Sequence, residues 1–346
     1  MQISNFVINK ESKVFIIAEL SANHNGSIEI AIETIRAAKR AGADCIKLQT
    51  YTADTITIDS PKSDFLIKGT IWEGKNLYEL YQEAYTPWEW HKTLFDEAEN
   101  QGLLCFSSPF DPTSVDFLEK LHAPAYKIAS FEITDIPLIE YVASKGKPVI
   151  ISTGIATEDD IQLALDACYR MNNHDIALLK CTSSYPAPLE EANLRMVSDM
   201  AKKYGVITGL SDHTMGSIAP VVATCFGAKI IEKHFILDRS IGGPDASFSM
   251  NEAEFTQMVK DVRAAEKAMG VIDYQLTEKQ AQGRAFCRSL YVVETIQAGE
   301  ELTTKNVRSI RPGYGMHPKH YSTVLGMKAK TTLEKGDRLS FDQIEN

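Results

Sequence analysis

A lysine set in an apolar run is the first feature of this chain that needs a chemical explanation. In YKIASFE, Tyr126 to Glu132, Lys127 lies between Tyr126 and Ile128, and Ser130 and Glu132 follow. An ammonium buried without a partner costs several kcal/mol, so Lys127 either faces solvent or meets a specific anion. The same arrangement, an apolar run ending in charged or hydroxyl residues, recurs at regular spacing. It brings up Glu19 and Asn23, Lys47 and Gln49, Ser108, Ser152, Tyr185, Ser211 and His213, and Glu232 and His234. Lys47 and Gln49 are two apart on a strand and share a face, as do Glu232 and His234. Two lysines among serine hydroxyls form a cup for a small, multiply charged anion, phosphate being the commonest. His213 and His234, from consecutive strands, either share a divalent ion or are hydrogen-bonded core residues. If they hold a metal, two imidazoles leave positions open for water and a carbonyl, and imidazole with oxygen favours manganese. Glu132 is placed as a general acid or base, with a helix-capping carboxylate as its alternative.

These residues need a scaffold that gathers strand ends, and the rest of the chain supplies one. VFIIAEL reads as a buried strand, SANHNGS as a loop with Asn25 or Ser27 as cap, and IEIAIETIRAAKRAGA as an amphipathic helix. The alternation continues through DCIKLQTY, LLCFSSPF, AYKIAS, PVIISTG, IALLKCTSSYP, VITGLSDHT and AKIIEKHF, for eight strands in all. Strands that are continuously apolar and alternate with helices imply a parallel sheet covered on both faces, and eight units close into a (β/α)8 TIM barrel. Active sites of such barrels lie at the carboxyl ends of the strands, where the residues above fall. Two departures stand out. Residues 52–86 form a long insertion after the second strand, rich in aromatics and therefore a candidate functional loop. After Gly270 the pattern breaks, so that 1–270 is the barrel, 271–285 a polar linker and 286–346 a small β-rich domain. Within that domain IQAGEELTTKNV and LEKGDRLSFDQI form a weak internal repeat.

The 346 residues suit one barrel of about 250 residues and one appendix. Apolar content of 44% and charged content of 24% belong to a globular protein with a real core. Net charge is -10 and no block of Lys or Arg could track a phosphate backbone, so nucleic acid is not an expected partner. A few focused lysines still bind an anion on an acidic protein. The six cysteines show no metal spacing and read as reduced and buried. No hydrophobic leader and no apolar run of about 20 residues is present, which places the protein in the cytoplasm and off the membrane.

The strings IAELSANHNGS, IKLQTY, FSSPFD, YKIASFE, ISTGIAT, KCTSSYP, GLSDHT and EKHF, in that order, resemble the sialic acid synthase family, and RSIRPGYGMHP resembles its antifreeze-like (SAF) domain. The resemblance covers essentially the whole chain. It implies condensation of phosphoenolpyruvate with an N-acetylated amino sugar to a nine-carbon 2-keto-3-deoxy acid and phosphate. By position, Lys47, Ser108, Lys127, Ser130, Ser152 and Ser211 would hold phosphoenolpyruvate, and His213 and His234 the metal, with Mn2+ expected and Mg2+ or Co2+ as substitutes. Glu132 would move protons, while Glu19, Asn23, Gln49 and Tyr185 would orient sugar or enolpyruvate. Arg311 matches the family arginine that reaches the other subunit's site, implying a domain-swapped homodimer. The insertion DFLIKGTIWEGKNLYELYQEAYTPWEWH most resembles the pseudaminic acid synthase branch, whose sugar is 2,4-diacetamido-2,4,6-trideoxy-altrose. N-acetylneuraminate and legionaminic acid synthesis are the alternatives. A pyruvate-dependent metal aldolase would share barrel and histidines without needing the phosphate cup; a non-catalytic scaffold would need none of these residues.

Overall fold

The computed structural model describes residues 1–346 as two compact units, Met1–Gly270 and Val271–Asn346. The first begins with a two-stranded hairpin, β1 (Gln2–Ile3) and β2 (Phe6–Val7). Eight parallel strands follow and close in sequence order: β3 (Phe15–Glu19), β4 (Cys45–Thr50), β5 (Leu104–Pro109), β6 (Tyr126–Ile128), β7 (Val149–Ser152), β8 (Ile176–Cys181), β9 (Ile207–Asp212) and β10 (Ile230–His234).

Alternation along the strands sorts the residues into two cores. Inward positions near the amino ends are apolar: Phe15, Ile17, Cys45, Phe106, Ile150, Leu179 and Ile230 fill the interior, and Ile3 and Ile8 of the hairpin region join them. One or two steps further along the same inward rows come Glu19, Lys47, Ser108, Lys127, Ser152, Ser211 and Glu232, all buried. A dry plug thus sits directly beneath a polar layer. Outward positions such as Ile16, Ile46, Ile128 and Ile151 pack against the surrounding helices. Those helices start where their sequences cap them, as where Ser27 accepts from the Ile30 amide and Thr157 from the Asp160 amide.

The insertion 52–86 is partly helical, with Ala53–Ile56 and Leu77–Ala84 flanking a narrow reversal closed by pairing of Leu66 with Asn76. The stretch read as a polar linker carries a short helix, Glu278–Gly283, capped by Thr277. The second unit holds β11 (Ser289–Val292), β12 (Val307–Ile310), β13 (Lys328–Ala329) and β14 (Ile344–Glu345) around Leu290, Ile296, Leu302, Leu333, Leu339 and Ile344. Its sequence repeat is a structural one. Gly299 donates to the Ala329 carbonyl and Gly336 to that of Val292, while Leu302 donates to Met327 and Leu339 to Leu290. Each half completes the other's backbone, and Ile296 pairs with Leu333 across the junction. Both glycines hold positive φ, 80° and 100°, where a side chain would be strained. No helix is long and apolar enough to cross a membrane.

Candidate active site

In-register pairing of parallel strands turns sequence spacing into lateral contact. Glu19 on β3 pairs with Lys47 on one side and His234 on the other, and Gln49 pairs with Ser108 one step higher. Lys47 makes an ion pair with Glu19 and donates to Ser108 Oγ at 3.3 Å. Glu232, noted in the sequence only as a strand-end carboxylate, lies between the lysines. Its Oε1 is 3.4 Å from Lys127 Nζ and accepts from Ser211 Oγ at 2.9 Å, and its Oε2 is 3.9 Å from Lys47 Nζ. Gln49 donates to Glu19 Oε1 at 3.2 Å and to Ser21 Oγ at 3.0 Å.

Two lysines and two carboxylates in a space shut from water do not share charge evenly. Burial pushes the Glu19 carboxyl up to about 7, with Lys47 opposing and the neighbouring Glu232 reinforcing the rise. Burial would raise Glu232 as well, yet Lys127 and Lys47 together hold it below the usual carboxylate range. Burial lowers Lys127, whereas Glu19 and Glu232 outweigh burial at Lys47 and keep it firmly charged. One carboxylate is therefore a fixed counter-charge and the other is poised to exchange a proton near neutrality. Hydroxyls of Ser108, Ser130, Ser152 and Ser211 surround the tetrad, and Ser152 Oγ is buried with no partner. Gly154 donates its amide to Ser130 Oγ at 3.2 Å, and a Cβ there would fall 2.7 Å from that oxygen, so only glycine fits.

The short turn Ser130–Thr134 after β6 carries Glu132. Its Oε2 is shut from solvent and unpartnered, and burial raises the carboxyl to about 7 despite Lys127. Beside the tetrad stand the two histidines, ring centroids 5.3 Å apart. His213 Nδ1 donates to the Thr182 carbonyl at 2.9 Å, which leaves Nε2 as the lone-pair nitrogen. His234 Nδ1 is buried without a hydrogen-bond partner, and burial together with His213 and Lys47 keeps this imidazole neutral. Unprotonated nitrogens left open in this way fit a divalent metal.

Tyr185 lies 4.4 Å from the His213 ring and 5.1 Å from Phe248, and Phe248 lies 5.0 Å from His234. Asn23 is buried nearby but donates to the Phe235 carbonyl at 3.0 Å and Ser249 Oγ at 2.8 Å, leaving Oδ1 free for a ligand. Arg311 belongs to the second unit, exposed on the turn after β12. Sequence reasoning missed Asp245. It hydrogen-bonds Ser21, lies 3.8 Å from His234 Nδ1 and is raised by burial. It follows β10 by a loop of no regular period, so no spacing signal pointed to it. Phe248 escaped for the same reason, whereas Trp72 belongs to the aromatic insertion that the sequence marked as a candidate functional loop.

Residues 34–274 match the NeuB family and residues 288–345 the SAF domain. The chain is 50% identical over 339 residues to the pseudaminic acid synthase of Campylobacter jejuni subsp. jejuni serotype O:23/36, covering 98% of each chain. It is 48% identical to that of Helicobacter pylori, covering 95% of this chain and 97% of the relative. Among solved structures, the N-acetylneuraminic acid synthetase of Leptospira borgpetersenii superimposes with a TM-score of 0.73 at 29% identity, covering 82% of this chain and 94% of that one. With barrel, charged cup and C-terminal domain all accounted for, the chain belongs to the NeuB family.

Proposed function

We propose that the chain condenses phosphoenolpyruvate with 2,4-diacetamido-2,4,6-trideoxy-β-L-altrose to give pseudaminic acid and phosphate. The observation that carries the chemistry is the junction of a two-lysine cup with two adjacent buried histidines at one end of the barrel. The sugar rests on near-complete alignment at 50% identity with a pseudaminic acid synthase.

Lys47 and Lys127, with the hydroxyls of Ser108, Ser130, Ser152 and Ser211, hold the carboxylate and phosphate of phosphoenolpyruvate. His213 and His234 would hold a divalent metal, Mn2+ first, with Mg2+ or Co2+ as substitutes; when bound it polarises the sugar aldehyde. Gln49, Asn23 and Tyr185 orient the sugar, with Arg311 contributed by the partner of a domain-swapped homodimer. Carbon three of the enolpyruvate forms the new bond to the aldehyde carbon, and carbon two becomes cationic. Glu132 takes the proton from the water that adds to carbon two, and a proton is returned through it to the former aldehyde oxygen, which becomes a hydroxyl. Glu19, poised near neutrality beside Lys47, gives a proton to the departing phosphate as the carbon-oxygen bond breaks, and regains one from the carbon-two hydroxyl as the ketone forms. The fixed charge of Glu232 faces the developing cation, in a site closed to water where such charge acts strongly. All six cysteines are unpaired, which suits the reducing cytoplasm where we place the reaction; Cys45, Cys105, Cys168 and Cys181 are buried, whereas Cys225 and Cys287 are exposed, contrary to the sequence reading.

The test is phosphate release from phosphoenolpyruvate with manganese, comparing the diacetamido altrose with N-acetylmannosamine and the legionaminic precursor. We expect preference for the altrose and loss of activity on chelation. Preference for another sugar refutes the substrate, and silence with all three refutes the reaction.

A further inference from the structure

The insertion 52–86 does something no barrel strand can do, because it crosses the mouth. Its middle is a narrow strap in which Ile67 donates to the Lys75 carbonyl at 3.0 Å and Gly74 to that of Ile67 at 3.1 Å. Asn76 Nδ2 ties the foot of the strap to the Ser60 carbonyl at 2.8 Å, and Lys75 pairs with Glu83. At the tip, Ile71 and Glu73 are exposed but Trp72 between them is half-buried, because its side chain reaches the loop after β10. There Nε1 donates to the Pro244 carbonyl at 3.0 Å, next to Asp245. The indole packs on Tyr185 at 5.6 Å, and Tyr185 packs on His213 at 4.4 Å. Trp72, Tyr185 and His213 are three successive rings leading inward to the histidine pair.

We propose that Trp72 is a specificity-determining residue that forms the apolar wall against the deoxy end of the sugar. The proposal rests on the substrate reading above. A six-carbon sugar held by its aldehyde at the histidines must extend outward along this column of rings. The only polar atom of the Trp72 side chain is already spent on Pro244, so the ring offers carbon alone. A methyl group gains by contact with such a surface, whereas a hydroxyl in the same place gives up water and finds no partner. Pinning at both ends, to the loop after β10 through Pro244 and to the insertion through its own backbone pairing, keeps the wall in place without substrate.

The experiment measures kcat/KM for the 6-deoxy diacetamido sugar and its 6-hydroxy counterpart, and KM for phosphoenolpyruvate, in wild type, Trp72→Ala and Trp72→Phe. One apolar contact of this size discriminates by about 10–200-fold. Trp72→Ala should lose about tenfold or more on the deoxy sugar, mainly through sugar KM, with the hydroxy sugar and phosphoenolpyruvate KM little changed. Trp72→Phe keeps a ring while losing the Pro244 bond, and should retain most of the selectivity. Equal loss on both sugars, or an unchanged selectivity ratio in a folded Trp72→Ala, overturns the proposal. If Trp72→Ala does not fold, Trp72→Gln, which sets an amide where the ring stood, should lose the selectivity, and an unchanged ratio in that variant decides against the proposal. A wild-type enzyme without preference for the deoxy sugar overturns the substrate reading itself, and is seen before any variant is made.

Discussion

Replacing Lys233 by Met should destabilise the barrel far more than an ordinary charge substitution, although Lys233 lies outside the cup. Its neighbours Glu232 and His234 point inward, so Lys233 points outward into the shell between strands and helices, where it is only 1% exposed. There its Nζ lies 2.5 Å from Asp212 Oδ2, the residue in register on β9, and also donates to the Thr214 carbonyl. Asp212 in turn accepts from the Thr214 amide at 2.9 Å and from its hydroxyl at 3.2 Å. Removing the ammonium leaves a buried carboxylate with two neutral donors, a loss of about 3–5 kcal/mol. For a domain of this size that corresponds to a fall in Tm of roughly 6–20 °C. The double variant Asp212→Leu with Lys233→Met removes both charges and should recover most of the loss, since a well-packed apolar pair often matches a buried ion pair. Activity should not recover with it. Asp212 and Lys233 directly precede His213 and His234, and the clamp holds the Thr214 turn that carries His213, so the manganese concentration for half-maximal phosphate release should rise. Thermal melts and manganese titrations read the two effects separately. A single variant melting within about 2 °C of wild type, or a double variant with unaltered manganese dependence, refutes the reasoning.

Burial raises Glu132 to about 7, and a base works only when ionised, so kcat/KM should fall about tenfold per unit as pH drops below about 7. Glu132→Gln should remove that limb along with about 10²–10⁴ of the rate, and persistence of the limb would remove Glu132 from the role of base. A raised folded pKa stabilises below the unfolded value and is lost as pH rises through 7, so Glu132→Gln should melt higher than wild type at pH 8 and equally near pH 4. Mixing Arg311→Ala with Lys127→Ala subunits should regenerate one intact site per heterodimer, about a quarter of all sites by random pairing of a two-fold dimer. No recovery above the separate variants argues against an arginine acting in trans.

The barrel and most of the cup were legible in the sequence because both rest on short-period rules. Alternation decides which face a strand residue takes, so Lys47 with Gln49 and Glu232 with His234 could be placed together from spacing alone. Apolar runs alternating with helices left a parallel closed sheet as the natural solution, and such sheets collect function at their carboxyl ends. The repeat at 296–307 and 333–344 was visible as letters, and its meaning as reciprocal backbone pairing emerged only when the halves faced each other. Register and reach across loops belong to tertiary structure. It is register that sets Glu232 between two lysines and gives Glu19 and Glu232 opposite protonation behaviour. Chain separation hides the rest: Trp72 meets Pro244 across 172 residues, Asp245 meets Ser21 across 224, and neither contact follows any local period. Residue types in order determined which chemistry was available, and burial in three dimensions decided which groups hold charge, which can exchange a proton, and what closes over them.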